Sequence, residues 1–193
     1  MLSRLQSHRY ASASAFVVVI LALIFLSDKV RLPEYKIAVA EGALSINATS
    51  SLRIRIPSVS ISASVENVGL TKSGAMDVPK DPMVVGLFSA GKRPGEIGTA
   101  VMSGHFGWYK NKPAAFDNLG SVQIGDKIYI EEGASKIVFI VQSTHFYGKD
   151  EVVPEVFYSN DGKAHLNLIT CSGAWSATEM SYSDRWVVFS EKD

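Results

Sequence analysis

The chain has 193 residues, with 19 Lys and Arg against 19 Asp and Glu, so its formal net charge is zero. That length fits one folded domain plus an extension, and a neutral balance without a basic cluster excludes the electrostatic footprint of nucleic-acid binding. A single cysteine excludes an internal disulfide, and one thiol with four scattered histidines cannot close a tetrahedral zinc site, so neither metal nor cofactor is expected.

Residues 11–26 carry no charge, and the run from Phe16 to Leu26 is almost wholly apolar. A helix needs about 20 such residues to span a bilayer, which makes this stretch short for a span and long for a signal-peptide core. It is apolar all round, unlike the striped face of a helix packed on a soluble core. Arg4, His8 and Arg9 precede it and favour a cytoplasmic N-terminus, although Lys29, Arg31 and Lys36 follow and flatten the bias. A cleavage-like Ala38-Val39-Ala40 lies too far beyond the run for ordinary processing. Residues 1–28 are therefore expected to be a cytoplasmic leader and an uncleaved transmembrane helix, in preference to a cleaved signal peptide. That places the protein in the cell membrane as a single-pass protein, with the rest of the chain extracytoplasmic. Residues 29–51 mix charge with Ala, Ser, Asn and Thr, show no sustained period and read as a tether with a helical turn or two near Tyr35 to Ala43.

From residue 52 the pattern turns to β. Leu52, Ile54 and Ile56 alternate with Arg53 and Arg55, and Val59, Ile61, Ala63 and Val65 repeat the alternation. Gly and Pro then punctuate residues 69–98, which read as mostly loops and turns. Thr99 to Ser103 is a short apolar strand that ends in Gly104-His105. Pro113 to Leu119, with Gly120 beyond, suits one or two helical turns. Lys127–Glu131 and Lys136–Thr144 read as strands around the turn at residues 132–135, and His165–Thr170 and Trp186–Ser190 as the last two strands. Many short strands with one or two short helices predict a mainly β fold closed into a barrel, with residues 52–193 as one domain.

Cys171 closes the strand-like run Asn167-Leu168-Ile169-Thr170-Cys171. Arg185 follows fourteen residues later, at the start of Trp186-Val187-Val188-Phe189, and His105 lies far upstream. A thiolate is a strong nucleophile, an imidazole moves the leaving-group proton, and a guanidinium offers an always-charged planar fork to an oxyanion. On its own the cysteine has a plainer reading, because free cysteines are usually buried and inert. His165, which opens the same strand, is a weaker rival to His105, and His145 reads as structural or exposed. Thr170 is a candidate substrate-binding residue beside the nucleophile, or simply a β-branched strand residue.

Leu168, Thr170 and Cys171, Gly104-His105 upstream and Arg185 on the next strand resemble the sortases, membrane-anchored cysteine transpeptidases of Gram-positive cell envelopes. Asn167 stands where that family's pattern has Thr. The resemblance continues through Ile56-Pro57, Val78-Pro79, Pro94-Gly95-Glu96-Ile97-Gly98, Phe116-Asp117-Asn118-Leu119 and Gly125-Asp126-Lys127-Ile128. Within the family, Pro94-Gly95-Glu96 and the stretch Ser181 to Asp184 are most similar to class F and class E-like members. The resemblance implies an eight-stranded β-barrel with Cys171, His105 and Arg185 as catalytic residues. It also implies substrates in secreted proteins that carry an LPxTG-like C-terminal sorting signal, with a peptidoglycan precursor or a pilin amine as acceptor. Loops around residues 83–93 and 148–163 would set specificity. A cysteine peptidase with water as acceptor, and a tethered binding barrel without turnover, remain alternatives from other classes. Glu131-Glu132 and Asp150-Glu151 lack a six-oxygen pattern, so no calcium site is expected.

Overall fold

The computed structural model describes residues 51–107 and 112–193. The expected anchor at residues 1–28 and nearly all of the expected tether lie outside the described residues. Among those described, no helix is long and apolar enough to cross a membrane.

The period-two patterns become strands with one buried face. β1 (Arg53–Ile56) buries Ile54 and Ile56 and exposes both arginines, and β2 (Ile61–Val68) continues the alternation through Ile61 and Ala63. The two are joined by a 3₁₀ turn at Pro57–Val59, where proline supplies a preset φ and Ser60 takes the left-handed conformation. β3 (Val85–Phe88) and β4 (Gly98–Gly104) follow, then β5 (Lys127–Glu132), β6 (Ser135–Gly148), β7 (Ala164–Ser176) and β8 (Ser181–Lys192). They close into a barrel in the order β1-β2-β3-β4-β7-β8-β6-β5, with β5 returning to β1. Closure removes the unpaired edges that an open sheet would leave. The β2–β3 and β4–β7 pairs are parallel and the remainder antiparallel.

The interior is filled by Ile54, Ile56, Val85, Met102, Ile128, Phe139, Leu166, Leu168 and Val188, and Phe116 and Leu119 from the β4–β5 connection join the same cluster. Each fully buried side chain of this size contributes about 1.5–3 kcal/mol, which is how a chain with one cysteine holds the fold without a cross-link. Because alternate residues face opposite ways, Leu166 and Leu168 inside put Asn167, Ile169 and Cys171 on the outer face of the barrel.

The structure corrects the sequence reading at four places. The helix expected at Pro113–Leu119 is a run of turns followed by a 3₁₀ turn at Leu119–Ser121, and the described residues contain 3₁₀ turns but no α-helix. Here the Asp117 carboxylate accepts from Gly107 N and Ala114 N, and no helix forms. The supposed loop at 69–98 contains β3, a buried four-residue strand that the surrounding Gly and Pro residues hide. β6 runs on through His145 to Gly148, past a register shift between Val141 and Ser143. β7 does not end at Cys171, nor does β8 begin at Arg185: the two pair out to Ser176↔Ser181 across a bulge between Ser172 and Trp175. Gly173, at φ +81°, makes that bulge.

A strap at residues 149–163 crosses the outer face. Its 3₁₀ turn, Pro154–Val156, buries Val156, and Asn167 Nδ2 donates to the Val156 carbonyl at 2.8 Å. Lys149 Nζ meets Glu179 at 2.7 Å at one end of the strap, and Gly98 N donates to the Lys163 carbonyl at 2.8 Å at the other.

Candidate active site

Three neighbouring strands position the three residues singled out from the sequence: β7 carries Cys171, β8 carries Arg185, and His105 directly follows the end of β4. Gly104 pairs with Thr170 in parallel register, so His105 and Cys171 are each the next residue along two adjacent strands. Cys171 pairs directly with Arg185 across the antiparallel β7–β8 ladder. Adjacent strands are about 4.8 Å apart and opposed Cβ atoms about 4.5–5.5 Å apart, so the three side chains form one row across the sheet. All three line a single cleft of about 1200 Å³ on the outer face.

Gly104 is glycine for a steric reason. A Cβ there would lie 2.5 to 2.9 Å from three ring carbons of the buried Phe116. Beyond it, Phe116 N donates to the His105 carbonyl at 3.1 Å, and Nε2 of the ring lies 2.7 Å from the Pro79 carbonyl. The Asp117 carboxylate accepts from Gly107 N at 2.7 Å and from Ala114 N at 3.0 Å. Gly107, at φ +86°, takes the left-handed conformation that glycine allows.

Cys171 is half-buried, with its thiol free. Arg185 Nη1 donates to the carbonyls of Tyr182 at 3.2 Å and Asp184 at 2.9 Å, which lays the guanidinium along its own strand. It enters none of the ion pairs among the described residues. Among the described residues its charge thus has no carboxylate partner, and its register position opposite Cys171 suits it to favour an anion at that end of the cleft. Thr170 is buried and its hydroxyl donates to the Gly104 carbonyl at 2.8 Å. What Thr170 can offer a bound peptide is therefore its backbone, while its side chain ties β4 to β7.

The cleft walls are largely apolar, with Val153, Val156 and Phe157 of the strap facing Ile169 and Val187 of the barrel. An aromatic chain flanks the other end: Tyr182 packs edge-on against Phe106 at 5.5 Å and Trp175 at 5.1 Å. Tyr147 also lines the cleft. Burial, then Glu155 and Glu151, raise its phenol above the ordinary value, so it stays a hydroxyl donor. Lys149 is held above its ordinary value chiefly by its hydrogen bond to Glu179, and this pair joins the strap to the β7–β8 hairpin.

The other histidines are elsewhere. His165 lies six residues from Cys171, about 20 Å along the strand, and its Nε2 contacts both Asp161 oxygens at 2.9 Å. His145 is exposed and packs edge-on against Phe189 at 5.7 Å. Among the described residues, no group of three or more His, Cys, Asp or Glu is placed to hold a metal ion. Sequence reasoning missed Pro79 as the partner of His105, because a main-chain carbonyl has no side-chain signature. It also missed the aromatic chain at Trp175 and Tyr182, which depends on strand pairing beyond Cys171.

A sortase-domain family model matches residues 54–193. No curated protein matches the chain in sequence. Among solved structures, sortase C-1 of Actinomyces oris is similar at a TM-score of 0.59 and 23% identity, covering 74% of this chain and 73% of that one. Sortase A of Corynebacterium diphtheriae, as a lid mutant, is similar at 0.59 and 21%, covering 75% and 70%. A Clostridium perfringens sortase D5 transpeptidase is similar at 0.56 and 19%, covering 75% and 79%.

Proposed function

The chain belongs to the sortase family of cysteine transpeptidases, and we propose that it cleaves an LPxTG-like C-terminal sorting signal and passes the acyl fragment to an amine. The observation that carries this reading is that His105, Cys171 and Arg185, set side by side by the pairing of β4, β7 and β8, line one cleft of about 1200 Å³. The Cys171 thiolate attacks the carbonyl carbon of the Thr–Gly-type bond, forming C–S and a tetrahedral oxyanion beside Arg185. The C–N bond then breaks, and His105 delivers a proton to the departing amine. An incoming amine attacks the thioester, gives a proton back to His105, and the thiolate leaves.

In this reading the acceptor is a peptidoglycan precursor or a pilin lysine, and the donor is a secreted protein tethered nearby. Residues 1–28 hold the enzyme in the membrane with the barrel outside, consistent with the uncharged run at 11–26. The Pro94-Gly95-Glu96 segment and the stretch before Arg185 favour class F or class E-like specificity within the family. A peptidase would share every step up to the thioester and differ only in using water.

Mass spectrometry with a panel of sorting peptides, with and without added amines, tests the proposal. Amine-linked product and a thioester adduct on Cys171 are expected. Cys171→Ala should lose both while unfolding at the same temperature. Product that is hydrolysed even at saturating amine would make the protein a peptidase, and undiminished transfer by Cys171→Ala would sink the mechanism.

A further inference from the structure

We infer that His105 exchanges its proton through Nδ1, and that the main-chain carbonyl of Pro79 is the positioning group that holds a proton permanently on Nε2. The inference rests on the proposed transpeptidation and adds which atom of the ring performs it. A carbonyl oxygen has no proton to give, so the 2.7 Å contact between Nε2 and the Pro79 oxygen requires Nε2 to be the donor. In the neutral ring the lone pair is then on Nδ1, the only nitrogen able to take a proton from an amine or a thiol. In the charged ring Nδ1 carries the proton that can leave, since the one on Nε2 is committed to Pro79.

The acceptor is fixed by its own surroundings. Pro79 is buried, and an added Cβ at Gly86 would meet its ring at 3.0 Å, so the two pack without slack. Asp77, two residues earlier, donates its backbone N–H to the Gly69 carbonyl at 3.0 Å, and its carboxylate caps Val78 N at 2.9 Å. Ser103 Oγ donates to the Asp77 carbonyl at 3.1 Å. Ser103, in β4, and His105, just beyond its end, are alternate residues, and two side-chain bonds join them to the segment 77–79. In a Cys-His-acid arrangement a carboxylate orients the ring and also stabilises its charge. Here a neutral carbonyl orients the ring without supplying a counter-charge.

Two measurements on the full-length protein in detergent micelles test the assignment. In the Cys171→Ala protein, with nitrogen-labelled histidine and carbonyl-labelled proline, the neutral His105 ring should be protonated at Nε2. That nitrogen should show coupling through the hydrogen bond to a single proline carbonyl carbon. A neutral ring protonated on Nδ1 would overturn the inference. In the otherwise unaltered protein, His105 replaced by its Nδ1-methyl analogue should fall to the turnover of His105→Ala. Turnover of the Nδ1-methyl protein at ten times that level or more would equally overturn it. If the unaltered protein processes no sorting peptide, the proposed function fails, whereas the labelled ring still decides where the proton resides.

Discussion

Thr170 Oγ1 donates a 2.8 Å hydrogen bond to the carbonyl of Gly104, across the parallel pair β4–β7 and immediately before both His105 and Cys171. The bond fixes the relative height of the strands that carry the proposed base and nucleophile. Thr170→Val keeps the shape but removes the donor and leaves part of a buried carbonyl's capacity unmet, at a cost of about 1–3 kcal/mol. Chemical denaturation should show that loss, and kcat should fall more than KM rises, because the displaced groups are the proposed base and nucleophile. Thr170→Ser should recover most of both.

Arg185 faces Cys171 in the antiparallel ladder, and its Nη1 is engaged by two carbonyls of its own strand. Lysine keeps the charge but cannot hold those carbonyls and still direct a second donor at an oxyanion. Arg185→Lys is expected to lose about 2.7–4 kcal/mol of transition-state stabilisation, roughly 100- to 1000-fold in kcat/KM. Burst kinetics with a chromogenic sorting peptide would locate the loss in thioester formation. Near-normal turnover would reduce Arg185 to a bystander.

Much of the barrel was legible because its strands bury one face. Ile54 and Ile56 alternating with Arg53 and Arg55, or Leu166 and Leu168 around Asn167, announce both the strand and its inner side. The adjacency of Cys171 and Arg185 was also readable, since a strand ending near one and another starting near the other suggest a hairpin. β3 was not readable, because Val85–Phe88 is too short to show a period and sits between Pro82 and Gly91. Nor was the reach of β7 and β8 beyond the site: Ser172 to Ser176 has no strand pattern, and pairing with Ser181–Asp184 makes it a strand. Pro79 lies in a segment that resembles the family's, but its role is played by a carbonyl that every residue possesses.

The exit of the strap should be sensitive to acid. The hydrogen bond from His165, aided by Lys163 N–H, holds the Asp161 carboxyl below its ordinary value. A carboxyl depressed in the folded state adds stability above its unfolded value of about 3.9, and that contribution is lost as pH falls through the folded value. Wild-type protein should therefore exceed Asp161→Asn in stability near neutrality, with the two converging at acid pH. Amide exchange at Lys163 should show the same convergence locally. A constant gap down to the lowest pH would mean that the carboxylate takes no part.

Asn167 occupies the position where the family pattern has threonine, and the structure gives it a task that threonine cannot perform. Its side chain is 2% exposed, and Nδ2 reaches the Val156 carbonyl at 2.8 Å, pinning the strap to β7 from beneath. A threonine hydroxyl is shorter by an atom and would leave that carbonyl without this donor, at about 1–3 kcal/mol. The strap supplies Val153, Val156 and Phe157 to the cleft wall, whereas Cys171 and Arg185 are held by the β7–β8 ladder. Asn167→Thr is therefore expected to raise KM for the sorting peptide several-fold while leaving the single-turnover rate at saturation nearly intact. Steady-state and single-turnover measurements side by side separate the two. A fall in the single-turnover rate with KM unchanged would show that the strap acts on the reacting groups, and that the apolar wall it provides is not where the peptide binds.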